Sequence, residues 1–143
     1  MTAADYSDRC RRLLRATGAS RVTLRLADES GFPALVAEEA APGVPSMRSG
    51  SPINPADYPT YRHLVETGDL LVQSDTRTHP IRPPASLIDE MRVYAQILAP
   101  IRRDGRTVGT VSVHIQDHPR HFTAADVAAV RDFQQYVEAG LAG

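Results

Sequence analysis

The clearest pattern in the chain is a pair of alternating apolar and polar runs on either side of Asp104-Gly105. The first run covers 93–101 and the second covers 107–115, and both are rich in apolar and β-branched residues. An Asp-Gly pair between two such runs is a strong signal for a β-hairpin, because both residues tolerate the positive φ of a tight turn. The sequence therefore predicts two long antiparallel strands at the centre of the fold.

Alternation along these two strands places their side chains on two different faces. One face is uniformly apolar and is expected to lie in the core; it carries Ala95, Ile97, Ala99, Ile101, Val111, Val113 and Ile115. The opposite face, called the mixed face below, carries Tyr94, Gln96, Leu98, Pro100, Thr110, Ser112 and His114. Such a face is typical either of the floor of a small-molecule pocket or of a solvated sheet, and the choice between them is the functional question.

Apolar spacing and turn residues predict the other elements. Helices are expected over 5–17, 59–67, near 85–92 and from Thr123 to about Leu141, and strands over 21–27, 32–39 and 70–74. In the first strand Thr23 and Arg25 are expected to point outward, and in the second helix Leu64 and Val65 are expected to point inward. The proline-rich segment 41–55 is longer than most connections, so it is a candidate lid, with simple surface variability as the alternative.

This order of elements predicts the α+β class, with an antiparallel sheet covered by helices on both faces. The first and last helices are expected to cover the apolar face, and the middle helices and loops to cover the mixed face. Because the second cover is interrupted by prolines, a cavity is expected beneath it. The length of 143 residues fits a single domain over 1–143.

Composition narrows the classes of function. The net charge of −1 gives no general attraction to nucleic acid or to an anionic membrane. No apolar run is long enough for a membrane helix and no signal-peptide pattern is found, which favours a cytoplasmic protein. All 16 basic residues are arginine, so lysine chemistry is excluded. The abundance of arginine and alanine is typical of a GC-rich, bacterial genome.

The sequence leans away from an enzyme. It has no Gly-x-Ser-x-Gly elbow, phosphate loop or His-Glu-x-x-His pair. His118 and His121 are spaced like a metal pair, but no further ligands converge with them, so no metal site is expected. Cys10 is the single cysteine, which excludes an intramolecular disulfide, and its place on the apolar stripe of the first helix predicts a core position.

Several segments, taken in order, resemble the GAF domain family over about 5–141. The resemblance is carried by 64–75, by 97–101 with Asp104-Gly105, by 108–112, and by 122–126 at the start of the last helix. It implies a sheet of five or six antiparallel strands and a ligand pocket on the face away from the terminal helices. Members of this family bind cyclic nucleotides, bilins, haem, small anions or metabolites.

The resemblance also narrows the ligand. Cyclic-nucleotide members usually carry an Asn-Lys…Phe-x-x-x-Asp-Glu signature; Phe122 and Asp126 match it, but Val127 replaces the Glu and the chain has no lysine. Bilin attachment needs a cysteine in the pocket, and Cys10 lies on the first helix. The free methionine sulfoxide reductases of this fold need several redox cysteines. A haem or iron site needs a histidine in the pocket, for which His63 and His114 are the candidates.

The candidate ligand-binding residues combine the mixed face with the aromatic and titratable residues near the 59–67 helix. They are Tyr58, Tyr61, His63, Tyr94, Gln96, Ser112 and His114. Amphipathic rings and a few polar groups suit a site that is otherwise apolar. For each residue an ordinary structural role is the alternative, such as a ring in the core or a histidine satisfied by backbone.

Three hypotheses follow. The first is a sensory domain that binds a small molecule and, having no output domain of its own, signals through a regulatory protein partner. The second is a haem-bearing or other cofactor-bearing protein with gas-sensing or redox chemistry. The third is a structural interaction domain whose pocket is filled. The apolar stripes of the terminal helices further predict a homodimer, and neither nucleic acid nor membrane is an expected partner.

Overall fold

The computed structural model describes residues 2–142, which form one five-stranded antiparallel sheet and four α-helices. In chain order the elements are α1 Ala3–Thr17, β1 Arg21–Ala27, β2 Pro33–Ala40, α2 Pro59–Thr67, β3 Leu71–Gln73, α3 Ala85–Asp89, β4 Val93–Arg103, β5 Arg106–Gln116 and α4 Ala124–Ala142. The strand order is β2-β1-β5-β4-β3. This is the predicted α+β fold, and β3 lies at an edge of the sheet.

The predicted central hairpin is confirmed. Asp104 and Gly105 join β4 to β5 with φ angles of 53° and 77°. Strand β5 pairs with β4 on one side and with β1 on the other, so it is the central strand. A Cβ on Gly109 would lie 2.0 Å from the carbonyl oxygen of Arg25. The close approach of β1 to β5 at this position therefore requires glycine.

The uniformly apolar face of the hairpin packs against α1 and α4, as predicted. Cys10 and Leu13 from α1, and Val130, Phe133 and Val137 from α4, are buried against it. Helix α1 begins at Ala3, two residues earlier than the apolar pattern indicated, because Thr2 and Asp5 form a capping box there. The terminal helices thus form one continuous core with the sheet.

Three local predictions are wrong for identifiable reasons. Val65 is 51% exposed, because α2 turns Tyr61 and Leu64 toward the sheet instead. Helix α3 ends at Asp89 rather than at Arg92, which adopts a positive φ of 55° and leads into β4. Thr23 was expected to face solvent but is buried, because the mixed face of the sheet is covered.

The cover over the mixed face consists of α2, α3 and the loop 41–58. Hydrogen bonds at three places tie this loop down: Ser46 Oγ and the Met47 N–H donate to the Glu38 carboxylate, Ser51 donates to Glu90, and Arg21 Nη1 donates to the Pro45 carbonyl at 2.7 Å. The candidate lid is therefore held at β2, directly after α3 and at β1. Within residues 2–142, no helix combines the length and apolar character needed to cross a membrane.

Candidate ligand site

A cavity with a volume of about 60 Å³ lies between the mixed face and its cover. Its floor comes from β1, β4 and β5 and consists of Thr23, Arg25, Gln96, Leu98, Thr110, Ser112 and His114. Its roof is mostly apolar and includes Met47, Ile53, Pro55, Tyr58, Tyr61, Leu64, Pro84 and Leu87. The volume holds a few water molecules or a small organic group. A larger ligand requires the cover to move outward.

Five of the seven predicted site residues line this cavity: Tyr58, Tyr61, Gln96, Ser112 and His114. The structure places the other two elsewhere. His63 lies beside Arg62 and Glu66 at a separate cleft on the outer side of α2. An irregularity in β4 between Val93 and Ala95 takes Tyr94 out of the alternation, and the guanidinium of Arg77 stacks on its ring at 4.1 Å. The prediction that these two residues line the pocket is therefore wrong.

Sequence reasoning missed the contribution of β1. Thr23 pairs directly with Ser112, and Arg25 with Thr110, so all four belong to the same face of the sheet. The period-2 pattern that defined the mixed face of β5 was present in β1 as well. Polar and charged residues in alternation are typical of a solvated face, so the pattern alone does not show that this part of β1 is covered.

A row of four buried polar side chains crosses four strands at one end of the cavity. Arg21 on β1 pairs with His114 on β5, His114 pairs with Gln96 on β4, and Gln96 pairs with Gln73 on β3. Each of the four is at most 4% exposed. Buried polar groups are costly unless they are hydrogen-bonded, so the bonding along this row determines what the site presents to a ligand.

Arg21 fixes the tautomer of His114. Its Nε–H donates to His114 Nδ1 at 3.1 Å, and since a guanidinium has no acceptor, Nδ1 must be the unprotonated nitrogen. Burial holds the pKa of His114 well below its ordinary value, and the charges of Arg21 and Arg25 lower the pKa further. The ring is therefore neutral, with its proton on Nε2, and it offers a donor to the cavity that it lines.

Gln73 fixes the orientation of the Gln96 amide. Gln73 Nε2 donates to the Ile81 carbonyl at 2.7 Å, which leaves Gln73 Oε1 to accept from Gln96 Nε2 at 2.7 Å. Gln96 Oε1 then points away from Gln73, and it is buried with no hydrogen-bond partner among residues 2–142. The floor thus holds an unpartnered acceptor on β4 beside the donor on β5.

The rest of the floor is polar but better satisfied. The Thr110 hydroxyl donates to the Ala99 carbonyl at 3.1 Å, and Arg25 Nη1 donates to the Pro33 carbonyl at 3.0 Å. Burial lowers the pKa of the Arg25 guanidinium, which the nearby Glu38 partly opposes. Because a guanidinium keeps its proton in proteins, Arg25 is a cation at the other end of the cavity from the polar row.

The residues of this cavity do not fit haem. A histidine that binds a metal through Nε2 donates its other N–H to an acceptor, whereas His114 Nδ1 faces a group that only donates. His63, the other candidate, lies outside the cavity. The volume of about 60 Å³ is also far too small for a macrocycle.

Cys10 is not available to the cavity. It is fully buried on the opposite face of the sheet, in the core formed by α1 and α4. Burial raises the pKa of its thiol to about 12, so the reactive thiolate is scarce at neutral pH. Covalent attachment of a ligand in the cavity would need a cysteine at another position. His118 and His121 belong to no cluster of three or more metal-ligating side chains among residues 2–142.

The five-stranded sheet, its helix-covered apolar face and its loop-covered polar face define an α+β domain built around a small internal cavity. The family model of the GAF domain matches residues 6–141, and the chain belongs to this family. The resemblance expected from the sequence is thereby confirmed.

Solved structures show the same fold. The GAF domain of the cyanobacteriochrome TePixJ superimposes with a TM-score of 0.83 at 16% identity, covering 97% of this chain and 88% of that one. The free methionine-R-sulfoxide reductase of Neisseria meningitidis, solved with its substrate, gives 0.71 at 19% identity, covering 96% and 75%. The GAF domain of a phosphoenolpyruvate-protein phosphotransferase from Coxiella burnetii gives 0.76 at 18%, covering 97% and 81%. No protein of curated function matches the chain.

Proposed function

We propose that this GAF domain is a sensory module that binds a small molecule in the cavity between the mixed face and its cover. The observation that carries the proposal is the pair of hydrogen-bonding groups on the floor, His114 Nε2–H and the buried, unpartnered Gln96 Oε1. An unsatisfied buried polar group costs about 1–3 kcal/mol, which a ligand that bonds to it recovers. An apolar roof over a few fixed polar groups is the usual composition of a small-molecule site.

Similar structures support a ligand-binding role. They include the GAF domain of a cyanobacteriochrome and a reductase solved in complex with its substrate. The chromophore-binding domain of the bacteriophytochrome RpBphP3 is another similar structure, at a TM-score of 0.78 and 17% identity, covering 97% of this chain and 55% of that one. We infer a sensory role from these proteins, and we infer the ligand from the residues of this chain.

Arg21 couples the floor of the cavity to the loop that covers it. Its guanidinium bonds to His114 on the floor and to the Pro45 carbonyl in the cover. A ligand that shifts His114 therefore acts on the loop 41–58, and it favours whichever loop arrangement it binds better. A regulatory partner that contacts this loop would read the state of the cavity.

The predicted homodimer has less support in the structure than the ligand-binding cavity has. The apolar stripes of α1 and α4 are already packed against the sheet within one chain. Among residues 2–142, the exposed large hydrophobic side chains are Phe32, Val65 and Val72, and none of them lies on these two helices. Light scattering at micromolar concentration tests this association directly, and a dimer disrupted by changes on α4 would support it.

A metabolite screen by 1H–15N NMR tests the proposed function. We expect at least one compound to shift the resonances of the cavity floor selectively. Ser112→Leu places a larger apolar side chain in a cavity of about 60 Å³ and should weaken binding at least about a hundredfold. Ser112→Ala keeps the space and should change affinity by no more than about fivefold, the effect of one ordinary hydrogen bond.

Circular dichroism and thermal melting establish that both variants fold. If no compound in the library shifts the cavity resonances, the domain is a filled interaction module and the proposal fails. A compound that binds the Ser112→Leu variant as well as it binds the original chain would place the site elsewhere.

A further inference from the structure

We propose that the ligand of this cavity carries an amide edge, a carbonyl oxygen beside an N–H, which bridges His114 and Gln96. Primary carboxamides and lactams are the chemical classes that present such an edge. This inference rests on the proposed function, since it identifies the ligand class of the same cavity.

The polar row is interrupted at one place. Hydrogen bonds link Arg21 to His114, and they link Gln96 to Gln73 and on to the Ile81 carbonyl. Between the two halves, Gln96 Oε1 has no partner within residues 2–142, although His114 is its directly paired neighbour in the sheet. Both residues line the cavity at this break.

At this break between His114 and Gln96, the two ends of the row fix which residue donates and which residue accepts. The arginine can only donate, so it places the imidazole proton on Nε2. The Ile81 carbonyl can only accept, so it turns the Gln73 amide, which in turn leaves Gln96 Oε1 on the side away from Gln73, buried and without a partner among residues 2–142. A ligand at the break must therefore accept from β5 and donate to β4.

This requirement excludes several polar groups that are common in small ligands, because they satisfy only one of the two residues. A carboxylate accepts from His114 but places its second acceptor against Gln96 Oε1. A ketone accepts from His114 but offers Gln96 Oε1 only carbon. An ammonium donates to Gln96 but leaves the imidazole N–H facing a cation. Directly paired residues have Cβ atoms about 4.5–5.5 Å apart, a spacing suited to a group whose acceptor and donor atoms are bonded to the same carbon.

Competition with water strengthens the preference of the cavity for a ligand that both donates and accepts. Water both donates and accepts, so a water molecule that enters the break competes with a ligand for His114 and Gln96. A ligand that displaces such a water gains little unless it reproduces both bonds. The body attached to the amide is apolar and small, since the roof above it is formed by Tyr58, Tyr61 and Leu64 over a cavity of about 60 Å³.

Three probes of one shape test the inference: isobutyramide, isobutyrate and 3-methylbutan-2-one. They share an isopropyl body and a planar head, and they differ in whether the head donates as well as accepts. Titrated into the full chain and followed by 1H–15N NMR, the amide should bind at least about tenfold more tightly than either of the others. Compounds this small bind in the millimolar range or weaker, which NMR titration detects.

Variants test the two sides of the break. His114→Phe keeps the ring and removes the donor, so the amide should lose its advantage and bind within about twofold of the ketone. His121→Phe, at an exposed position in the loop before α4, is the matched control and should leave the ranking unchanged. Circular dichroism verifies the fold of both variants, and the ranking in the original chain needs no variant at all.

Arg21 acts as a positioning residue, and its role has a spectroscopic signature. In the original chain, 15N chemical shifts of the His114 ring should show the proton on Nε2 alone. In Arg21→Met, the ring should populate both tautomers, and the affinity for isobutyramide should fall while binding of the ketone changes little. A purely structural role for Arg21 would not select one tautomer.

Several outcomes overturn the inference. Tighter binding of the ketone or of isobutyrate would show that the break selects a different chemistry, and the proposed function would still stand. A His114 ring protonated on Nδ1 would remove the basis for the donor. Failure of all three probes to bind would also overturn the ligand class, whereas the metabolite screen and the Ser112→Leu variant decide the proposed function separately.

Discussion

The buried guanidinium of Arg21 joins the floor of the site to its cover. Nε donates to His114 and Nη1 donates to Pro45, while Nη2 is buried with no partner among residues 2–142. Arginine is rarely buried completely unless it is paired with an acid. No carboxylate in the described part of the chain lies within salt-bridge distance of this guanidinium, and Glu38 acts on it only at longer range. A residue held at this cost has a role beyond packing, which we assign to the orientation of His114.

The low pKa of His114 makes stability depend on pH. Its ordinary pKa is about 6.5, so below this pH the unfolded chain takes up a proton that the folded, buried ring does not. The free energy of unfolding should therefore fall as pH decreases from about 7 to about 5, by up to about 1.4 kcal/mol per pH unit. Urea titrations at several pH values measure it. In His114→Phe this part of the slope should disappear, while His121→Phe should retain it; an equal slope in all three proteins would contradict the buried, neutral histidine.

At the level of single residues, the site was largely predictable where the strands are regular. Gln96, Ser112 and His114 were found from alternation alone, and they line the cavity. Tyr94 was misplaced because an irregularity in β4 shifts the alternation, and no local signal announces it. Arg21 was missed because a charged residue is ordinarily exposed, and only pairing with β5 shows that it is covered.

Helix α4 shows how an element is defined by its first turn. The Asp126 N–H donates to Thr123 Oγ1 at 3.1 Å, and the Thr123 N–H donates to Asp126 Oδ2 at 2.9 Å. This capping box directs the helix across the apolar face, where Val130, Phe133 and Val137 are buried. The cap fixes the start of the helix, which the sequence predicted at Thr123, and with it the position of one of the two helices that close the core.

Removing this cap tests its contribution. Thr123→Ala should lower the free energy of unfolding by about 1 kcal/mol, because the Asp126 N–H loses its acceptor. Thr123→Ser keeps the hydroxyl and should stay within about 0.5 kcal/mol of the original chain. Chemical denaturation of the three proteins measures both values. Equal losses for alanine and serine would show that the hydroxyl is not the stabilising group.

Elements with local signals were predicted closely, whereas the cover was predicted only in outline. The turn at Asp104-Gly105 and the bounds of α2 follow from short sequence patterns. The loop 41–58 takes its path from bonds between distant positions, such as Ser51 to Glu90 and Arg21 to Pro45. These contacts have no periodic signature, so the sequence indicated a loop-rich cover with a cavity beneath it but not the path of the loop.

At the scale of the whole molecule, the sheet separates two environments with different roles. One side is a closed apolar core with α1 and α4, which supplies stability and buries Cys10. The other side is a polar floor beneath a cover made of short helices and a tethered loop. Ligand binding is therefore expected to change the cover and to leave the core intact, which lets the cavity vary in chemistry without loss of the fold.

Native mass spectrometry after incubation with a metabolite extract tests the central claim most directly, that this cavity binds a small molecule. The original chain and Ser112→Ala should each retain one additional mass, and Ser112→Leu should retain none. An absorption spectrum of the same samples shows whether the bound species is a chromophore. An adduct equally abundant on Ser112→Leu would contradict the claim that the mixed face is the floor of a ligand site.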